Sequence, residues 1–457
     1  MSEPNLVQTA VTDLEIGMYV AALDRPWMET PFLVQGFYID SHKEIEELEK
    51  HCKFVYVDIY RSKVRPGTRS SGRVFGKVAP RREPAPAPRN AVPAPRNVAP
   101  VPRAAAPAPR DAAEEAGTFR SRPKKSAADF FPHRKLKPYE DAATFTQELA
   151  QVKPVYAAAV AAYRRMTEQF RASGKLDLSA VRDAANPLVE SMVRNPDAGM
   201  WLARIRDENA YPQGHPVGAA IWALALGRQL GLPKVDLQRL ALGALLFDIG
   251  KLKMPEDLLR KMESLSGGEF HLVKLHVQFG LEMLSDSGLM NRTVTDMVEF
   301  HHERYGGHGY PAGLKGDDIP IFGRIAGIVD CFDAITSRRP YSQAVSPAQA
   351  VKKMYAWRDI DFEADIVGEF IQAIGVFPAG TLLELSNGQV GLSMAGYRTQ
   401  RLRPQVLLVL DRDKNRLPAP RVLDLATVTR DAEGKLLEIA TSLEPGAYGV
   451  DPWTVVI

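Results

Sequence analysis

Apolar residues spaced three and four positions apart dominate the middle of the chain, and this spacing places them on one face of a helix. The longest such run extends from Phe145 to Tyr163 and contains Pro154, so it predicts a long helix that is kinked or restarted at the proline. Further helices are predicted over residues 178–193, from about Met200, and repeatedly between residues 215 and 374. A mainly α fold follows.

Short runs in which apolar and polar residues alternate predict β-strands at both ends of the chain. Near the N-terminus they lie at residues 7–11, 14–20, 32–34 and 54–58, with a helix that begins after the capping serine Ser41. After Pro378 the predicted strands cover residues 381–385, 389–392, 405–410 and 454–457. Asn387-Gly388 predicts a hairpin turn between the first two of these.

Proline, alanine and arginine form imperfect repeats between residues 72 and 128, without hydrophobic periodicity. Such a composition favours an extended, disordered spacer. Residues 71–140 hold 15 Lys or Arg and 6 Asp or Glu, whereas the whole chain has a net charge of only +3. Four regions are predicted: an N-terminal α+β domain (1–70), a disordered linker (71–138), a helical domain (139–376) and a β-rich subdomain (377–457).

Several classes of protein are disfavoured by composition. The two cysteines are too few for a disulfide framework or a thiolate metal site. No apolar run is long enough to cross a bilayer, and the first residues are not those of a secretory signal, so a cytoplasmic protein without a membrane span is expected. Because the positive charge is concentrated in the linker, the folded regions are not expected to bind DNA.

The most specific motif is His301-His302-Glu303, followed by a glycine-rich turn that ends in Gly309-Tyr310-Pro311. Adjacent imidazoles indicate a metal site, and the glycines indicate a loop whose backbone approaches another group closely. With Gly313-Leu314 and Ile319-Pro320 after it, the motif resembles that of the HD-GYP phosphodiesterases of bacterial cyclic di-GMP signalling.

This resemblance implies an HD-type helical bundle that hydrolyses cyclic di-GMP to linear pGpG or GMP, with one or two iron or manganese ions. The residues before position 70 resemble a domain often found ahead of HD-GYP domains, which implies a regulatory role; a structural module is an equal alternative. The implied metal ligands are His215, Asp248, His276, His301, His302 and Asp330. The implied catalytic residues are Asp248 and Lys251, and the implied substrate contacts are Lys251, Gly309, Tyr310, Pro311, Asp333 and Arg339.

Alternative roles stay open for some of these residues. Lys251 is either a phosphate contact or a solvated residue beyond a helix end. Asp333 and Arg339 match positions that contact a guanine in the family, but an intrahelical or capping salt bridge is nearly as good an interpretation.

Two departures from the family pattern bear on activity. Phe247 replaces the histidine of the His-Asp pair and cannot bind a metal, and Gly306 replaces an aspartate. The remaining ligands then divide into a set of four (Asp248, His276, His301 and His302) and a set of three that shares Asp248 (His215, Asp248 and Asp330).

Two functions are therefore considered. The first, preferred because six ligands are intact, is a cyclic di-GMP phosphodiesterase impaired by Phe247. The second is an inactive HD-GYP module that senses cyclic di-GMP or docks onto a protein, such as a GGDEF-type diguanylate cyclase, through its Gly-Tyr-Pro loop.

Overall fold

The computed structural model describes residues 6–23, 37–39, 42–58, 62, 64, 124–205, 211–261, 266–337, 344–396 and 400–455. Two compact units separate among them, an N-terminal one and one that begins at Lys124. Each unit is described by itself below.

The N-terminal unit combines a small antiparallel sheet with one helix. Its described elements are β1 (Leu6–Ala10), β2 (Tyr19–Leu23), β3 (Phe37–Tyr38), α1 (His42–His51) and β4 (Phe54–Asp58). The strand order is β1-β4-β2-β3, and Val55, Val57 and Leu48 are buried in the unit. The predicted helix after Ser41 and the strand at 54–58 are confirmed, whereas the strand predicted from Phe32 lies outside the described residues.

The second unit is mainly helical, as predicted. Its described helices are α2 (Ala127–Phe130), α3 (Phe145–Ser173), α4 (Ser179–Arg194), α5 (Pro196–Arg204), α6 (Tyr211–Gln229), α7 (Lys234–Leu246), α8 (Glu256–Arg260), α9 (Gly267–Lys274), α10 (His276–Asp286), α11 (Arg292–Phe300), α12 (Ile321–Thr336), α13 (Pro347–Ala356) and α14 (Ala364–Ile374). Helix α3 continues through Pro154 without restarting. Buried residues on both sides of the proline, Val152 and Ala159, pack into one core and hold the two halves together.

Helix α6 lies at the centre of this unit, because residues 217–226 are all buried. It packs against α5, α7, α12 and α14. A helix that is apolar on all sides must be surrounded by other elements. Helices α7 and α12, which carry candidate ligands, therefore both pack against α6.

The five C-terminal strands form one antiparallel sheet in the order β8-β7-β6-β5-β9. They are β5 (Leu382–Leu385), β6 (Val390–Ala395), β7 (Gln405–Leu410), β8 (Arg416–Asp424) and β9 (Ile439–Leu443). Leu382 on one face joins the helical core, and Leu383 on the other joins a second apolar cluster. The hairpin at Asn387-Gly388 is confirmed by the pairing of β5 with β6.

One sequence prediction for this sheet is wrong over its described residues, and one strand was missed. Of the strand expected at 454–457, residues 454 and 455 are described, and Thr454 is the last residue of a 3₁₀ turn, Pro452–Thr454, capped by Asp451. Strand β8 was not predicted because Pro418 and Pro420 interrupt its alternation. It tolerates both because it is an exposed edge strand, where prolines need not donate to a neighbour.

The predicted linker also ends too late in the chain. Residues 124–138 are folded rather than part of a spacer: Ser126 caps α2, and Phe130 and Phe131 are buried in the main core. The Lys125 ammonium group contacts the carboxylates of Asp317 at 2.8 Å and of Glu363 at 3.0 Å. The basic composition of this segment concealed its short capped helix.

No helix among the described residues is both long enough and apolar enough to cross a membrane.

Candidate metal centre

Helix ends bring the predicted ligands together. His215 lies near the start of α6, Asp248 follows α7, and His276 is the first residue of α10. His301 and His302 follow α11 directly, and Asp330 lies within α12. Their ligand atoms form two groups that share the carboxylate of Asp248: Asp248, His276, His301 and His302 in the first, and His215, Asp248 and Asp330 in the second.

In the first group the backbone fixes which imidazole nitrogens carry hydrogen. His276 Nδ1 lies 2.6 Å from the Val273 carbonyl oxygen, and His301 Nδ1 lies 2.9 Å from that of Val298. A carbonyl oxygen can only accept, so each Nδ1 donates and each Nε2 presents a lone pair. These two Nε2 atoms face each other at 3.3 Å.

The protonation states favour metal binding at neutral pH. Burial lowers the pKa of His276 to about 4, and burial together with His301 holds the pKa of His302 well below its usual value. Burial alone would raise the pKa of Asp248, but the Lys251 ammonium group beside it holds that pKa well below its usual value. The neutral imidazoles of His276 and His302 therefore lie in one group with the ionised Asp248 carboxylate.

The second group also consists of acceptors. His215 Nε2 lies 3.8 Å from Asp248 Oδ2 and 3.8 Å from Asp330 Oδ1. His215 Nδ1 lies 2.5 Å from Asp333 Oδ2, so Nδ1 donates there and the lone pair of Nε2 points at the two carboxylates.

Both groups fit a divalent metal. Asp248 Oδ1 is buried, and no hydrogen bond reaches it among the described residues, although His276 Nε2 is 3.3 Å away. Buried lone pairs without donors are costly, and a cation removes that cost. Imidazole and carboxylate ligands suit transition metals such as iron, manganese or zinc.

Phe247 fills the space between the two groups. Its ring stacks on His301, with centroids 5.1 Å apart and planes at 29°, and it meets the His215 ring edge-on at 6.2 Å. The side chain is only 1% exposed. The apolar Phe247 ring therefore occupies the position at which the family pattern has a histidine.

The Gly-Tyr-Pro loop folds back on the paired histidines. The Tyr310 ring stacks on His302, with centroids 4.6 Å apart and planes at 30°. A Cβ atom on Gly309 would lie 2.6 Å from the His302 carbonyl oxygen, so only glycine fits there. Lys251 Nζ lies 2.5 Å from Asp248 Oδ2, and Arg339 lies outside the described residues.

Comparison with known proteins agrees with this geometry. Residues 200–365 match the model of the HD domain, and residues 6–181 match that of a domain of unknown function, DUF3391. The chain is 28% identical to a cyclic di-GMP phosphodiesterase of Pseudomonas aeruginosa over 92% of this chain and 89% of that protein. Residues 200–365 are thus similar to the HD domain, and most of the chain is similar to a cyclic di-GMP phosphodiesterase.

Other relatives match a smaller share of the chain. The chain is 36% identical to the cyclic di-GMP phosphodiesterase response regulator RpfG of Xanthomonas campestris, over 32% of this chain and 39% of that protein. It is 32% identical to a 3'3'-cGAMP-specific phosphodiesterase of Vibrio cholerae, over 36% of this chain and 31% of that protein. The chain thus covers less than half the length of these two relatives.

Asp333, which the resemblance implies as a guanine contact, is bonded to other protein groups. Its side chain is fully buried, and besides His215 it accepts a 2.8 Å hydrogen bond from Trp222 Nε1 and one from the Ser337 hydroxyl group at 3.4 Å. With its oxygens engaged by these groups, Asp333 is positioned to orient His215. One turn separates it from Asp330 on α12, which puts both carboxylates towards α6.

Glu303 holds the loop in place, a role that sequence analysis missed. Its carboxylate is 4% exposed and accepts three backbone N–H groups, from Ala312 at 2.7 Å, Gly313 at 3.0 Å and Leu314 at 3.0 Å. The position of Glu303 directly after the two histidines was the sequence feature that could have indicated this role.

Gly306, the second departure from the family pattern, has a local cause. Its N–H donates to the Ile360 carbonyl oxygen at 2.9 Å, and a Cβ atom would lie 2.7 Å from that same oxygen. The loop is thus pressed against the segment between α13 and α14, and a side chain at 306 would force the two apart.

Asp333→Asn should weaken the second metal group selectively. An amide oxygen accepts from His215 Nδ1 more weakly than a carboxylate does, because it carries no charge, so we expect the affinity for the metal bound at His215 to fall by about 10- to 100-fold. Calorimetric titration with Mn²⁺ would measure it, and Trp222→Phe, which spares the bond to His215, is the control. Equal Mn²⁺ affinities in Asp333→Asn and wild type would contradict this role.

Glu303→Gln should loosen the loop. The amide group would turn a donor towards backbone N–H groups, and loss of these charge-assisted bonds should lower the free energy of unfolding by about 2 kcal/mol. Chemical denaturation would measure the change. The control is Glu299→Gln, at a partly exposed position of α11; a similar loss in both variants would refute the proposed clamp.

Proposed function

We propose that this protein is a metal-dependent phosphodiesterase that opens cyclic di-GMP to linear pGpG or GMP. The observation that carries the proposal is the Asp248 carboxylate, shared by two groups of buried or partly buried ligand residues whose lone pairs converge. The names of the Pseudomonas and Xanthomonas relatives support cyclic di-GMP as the substrate.

The residues of the chain would divide the work as follows. A divalent metal bound by these residues would activate water and polarise the phosphoryl oxygens. Asp248 would contribute to both groups, and the buried side chains of His276 and His301 would exclude bulk water from the first group. Lys251 is partly exposed beside Asp248, where its ammonium group can neutralise a phosphate oxygen.

The two metal positions should be unequal. The first group offers four ligands, three of them imidazoles, and the second offers three ligands with one imidazole. Phe247 supplies nothing to either group. We infer one tightly bound iron or manganese ion and a second that binds weakly, so that hydrolysis is slower than in a protein with an intact His-Asp pair.

Metal content and turnover together test the function. Protein loaded with Mn²⁺ or, without oxygen, with Fe²⁺ should hold at least one ion per chain and convert cyclic di-GMP to the linear product, as followed by chromatography. A chelator should abolish turnover. His276→Ala should lose the ion, whereas His308→Ala, an exposed histidine paired with Asp361, should keep it.

Binding of cyclic di-GMP without turnover at saturating Mn²⁺ and Fe²⁺ would refute the enzyme. It would favour the sensor or the docking module for a diguanylate cyclase instead.

Phe247→His should strengthen the second position. An imidazole between His215 and His301 adds a ligand where the apolar ring now stands, so we expect the metal content to rise towards two ions per chain and kcat to rise about tenfold or more. Phe247→Leu, which fills the space without adding a ligand, is the control. No gain in metal content for the folded histidine variant would show that Phe247 does not limit the site.

A further inference from the structure

Helix α9 lies on the surface beside the metal centre and has no buried residue. Two of its apolar side chains are exposed, Phe270 at 46% and Leu272 at 49%. Single exposed apolar residues are ordinary on protein surfaces, and Leu272 needs no explanation. Phe270 differs because its neighbours connect it to the metal ligands.

A chain of ring contacts leads from the metal ligands to Phe270. His302 stacks on Tyr310 at 4.6 Å, and the Phe270 ring meets Tyr310 edge-on at 6.3 Å with planes at 83°. The Lys274 ammonium group lies between the two outer rings, 4.9 Å from the Tyr310 centroid and 4.8 Å from that of Phe270. From the metal centre outwards, the order is therefore His302, the Lys274 ammonium group and the exposed Phe270 ring.

This order matches that of a nucleotide bound through its phosphate. The phosphate would lie at the metal ligands within reach of a cation, and the base would lie one sugar further out. Aromatic side chains bind bases by stacking, which every base permits because each has a π-face. An ammonium group beside the ring adds attraction for phosphate or base oxygens.

The position of Phe270 is fixed relative to the metal. Only Leu275 separates α9 from His276, the first residue of α10, and the Val273 carbonyl of α9 accepts from His276 Nδ1. At the other end, Lys261 binds Glu269 at 2.7 Å, and Ser266 caps the helix. The exposed ring is therefore held at both ends of its helix.

We propose that Phe270, with Lys274, is the stacking platform for one base of the cyclic dinucleotide substrate. The inference rests on the proposed function and adds to it a subsite on α9. Phe270 binds the base without touching the reacting phosphate. Its loss should therefore change substrate affinity and leave the chemical step intact.

Two measurements on the full-length protein test the platform. Calorimetry with a hydrolysis-resistant phosphorothioate analogue of cyclic di-GMP gives affinity, and steady-state kinetics with cyclic di-GMP on Mn²⁺-loaded protein separates KM from kcat. For Phe270→Ala we expect Kd and KM to rise about tenfold or more, with kcat within about twofold of wild type. Phe270→Trp should restore both affinities.

The controls separate stacking from disturbance of the helix. Leu272→Ala, at an equally exposed position of α9, should leave Kd and KM unchanged, and Mn²⁺ affinity should be equal in all variants because His276 is not moved. Unchanged affinity in Phe270→Ala, or equal losses in Phe270→Ala and Leu272→Ala, would overturn the platform.

The calorimetric measurement also distinguishes the two proposals. Wild-type protein that binds the analogue without hydrolysing cyclic di-GMP would refute the enzyme, and Phe270→Ala would still decide the platform through Kd. Wild-type protein that binds no analogue would overturn the platform.

Discussion

The structure of the site depends on one buried carboxylate that faces lone pairs on two sides. Asp248 stands between the Nε2 atoms of His276 and His301 on one side and His215 and Asp330 on the other. Acceptors in such number repel one another in a buried site, and a cation turns that repulsion into attraction. The surrounding helices are arranged to satisfy this constraint: their ends, rather than their middles, supply nearly all of the ligands.

Sequence reasoning reached the fold class because helical periodicity is a local property of the chain. The six candidate ligands and their division around Asp248 came from the resemblance of the motifs to the HD-GYP family. Sequence reasoning could not predict features that depend on tertiary packing. Pro154 stays inside α3 because the core holds both halves, and strand β8 keeps two prolines because it lies at an edge.

The roles of Asp333 and Glu303 were beyond the sequence for the same reason. The Asp333 carboxylate was predicted to contact substrate, yet it is buried against Trp222 and His215. Glu303 lies within the His-His-Glu motif and was assigned no role, although its carboxylate binds the backbone of the following loop. In each case the partners come from distant elements or from backbone groups, which carry no side-chain signature.

The two metal groups also differ in what orients their imidazoles. His276 and His301 are each fixed by a main-chain carbonyl three residues earlier, which every amino acid supplies, so substitutions at Val273 or Val298 leave that acceptor in place. His215 is fixed by a side chain, Asp333, that one nucleotide change can remove. The first group is therefore robust to sequence drift and the second is fragile. A single substitution at Asp333 would release the His215 imidazole, whereas no single substitution at Val273 or Val298 removes the acceptor of His276 or His301.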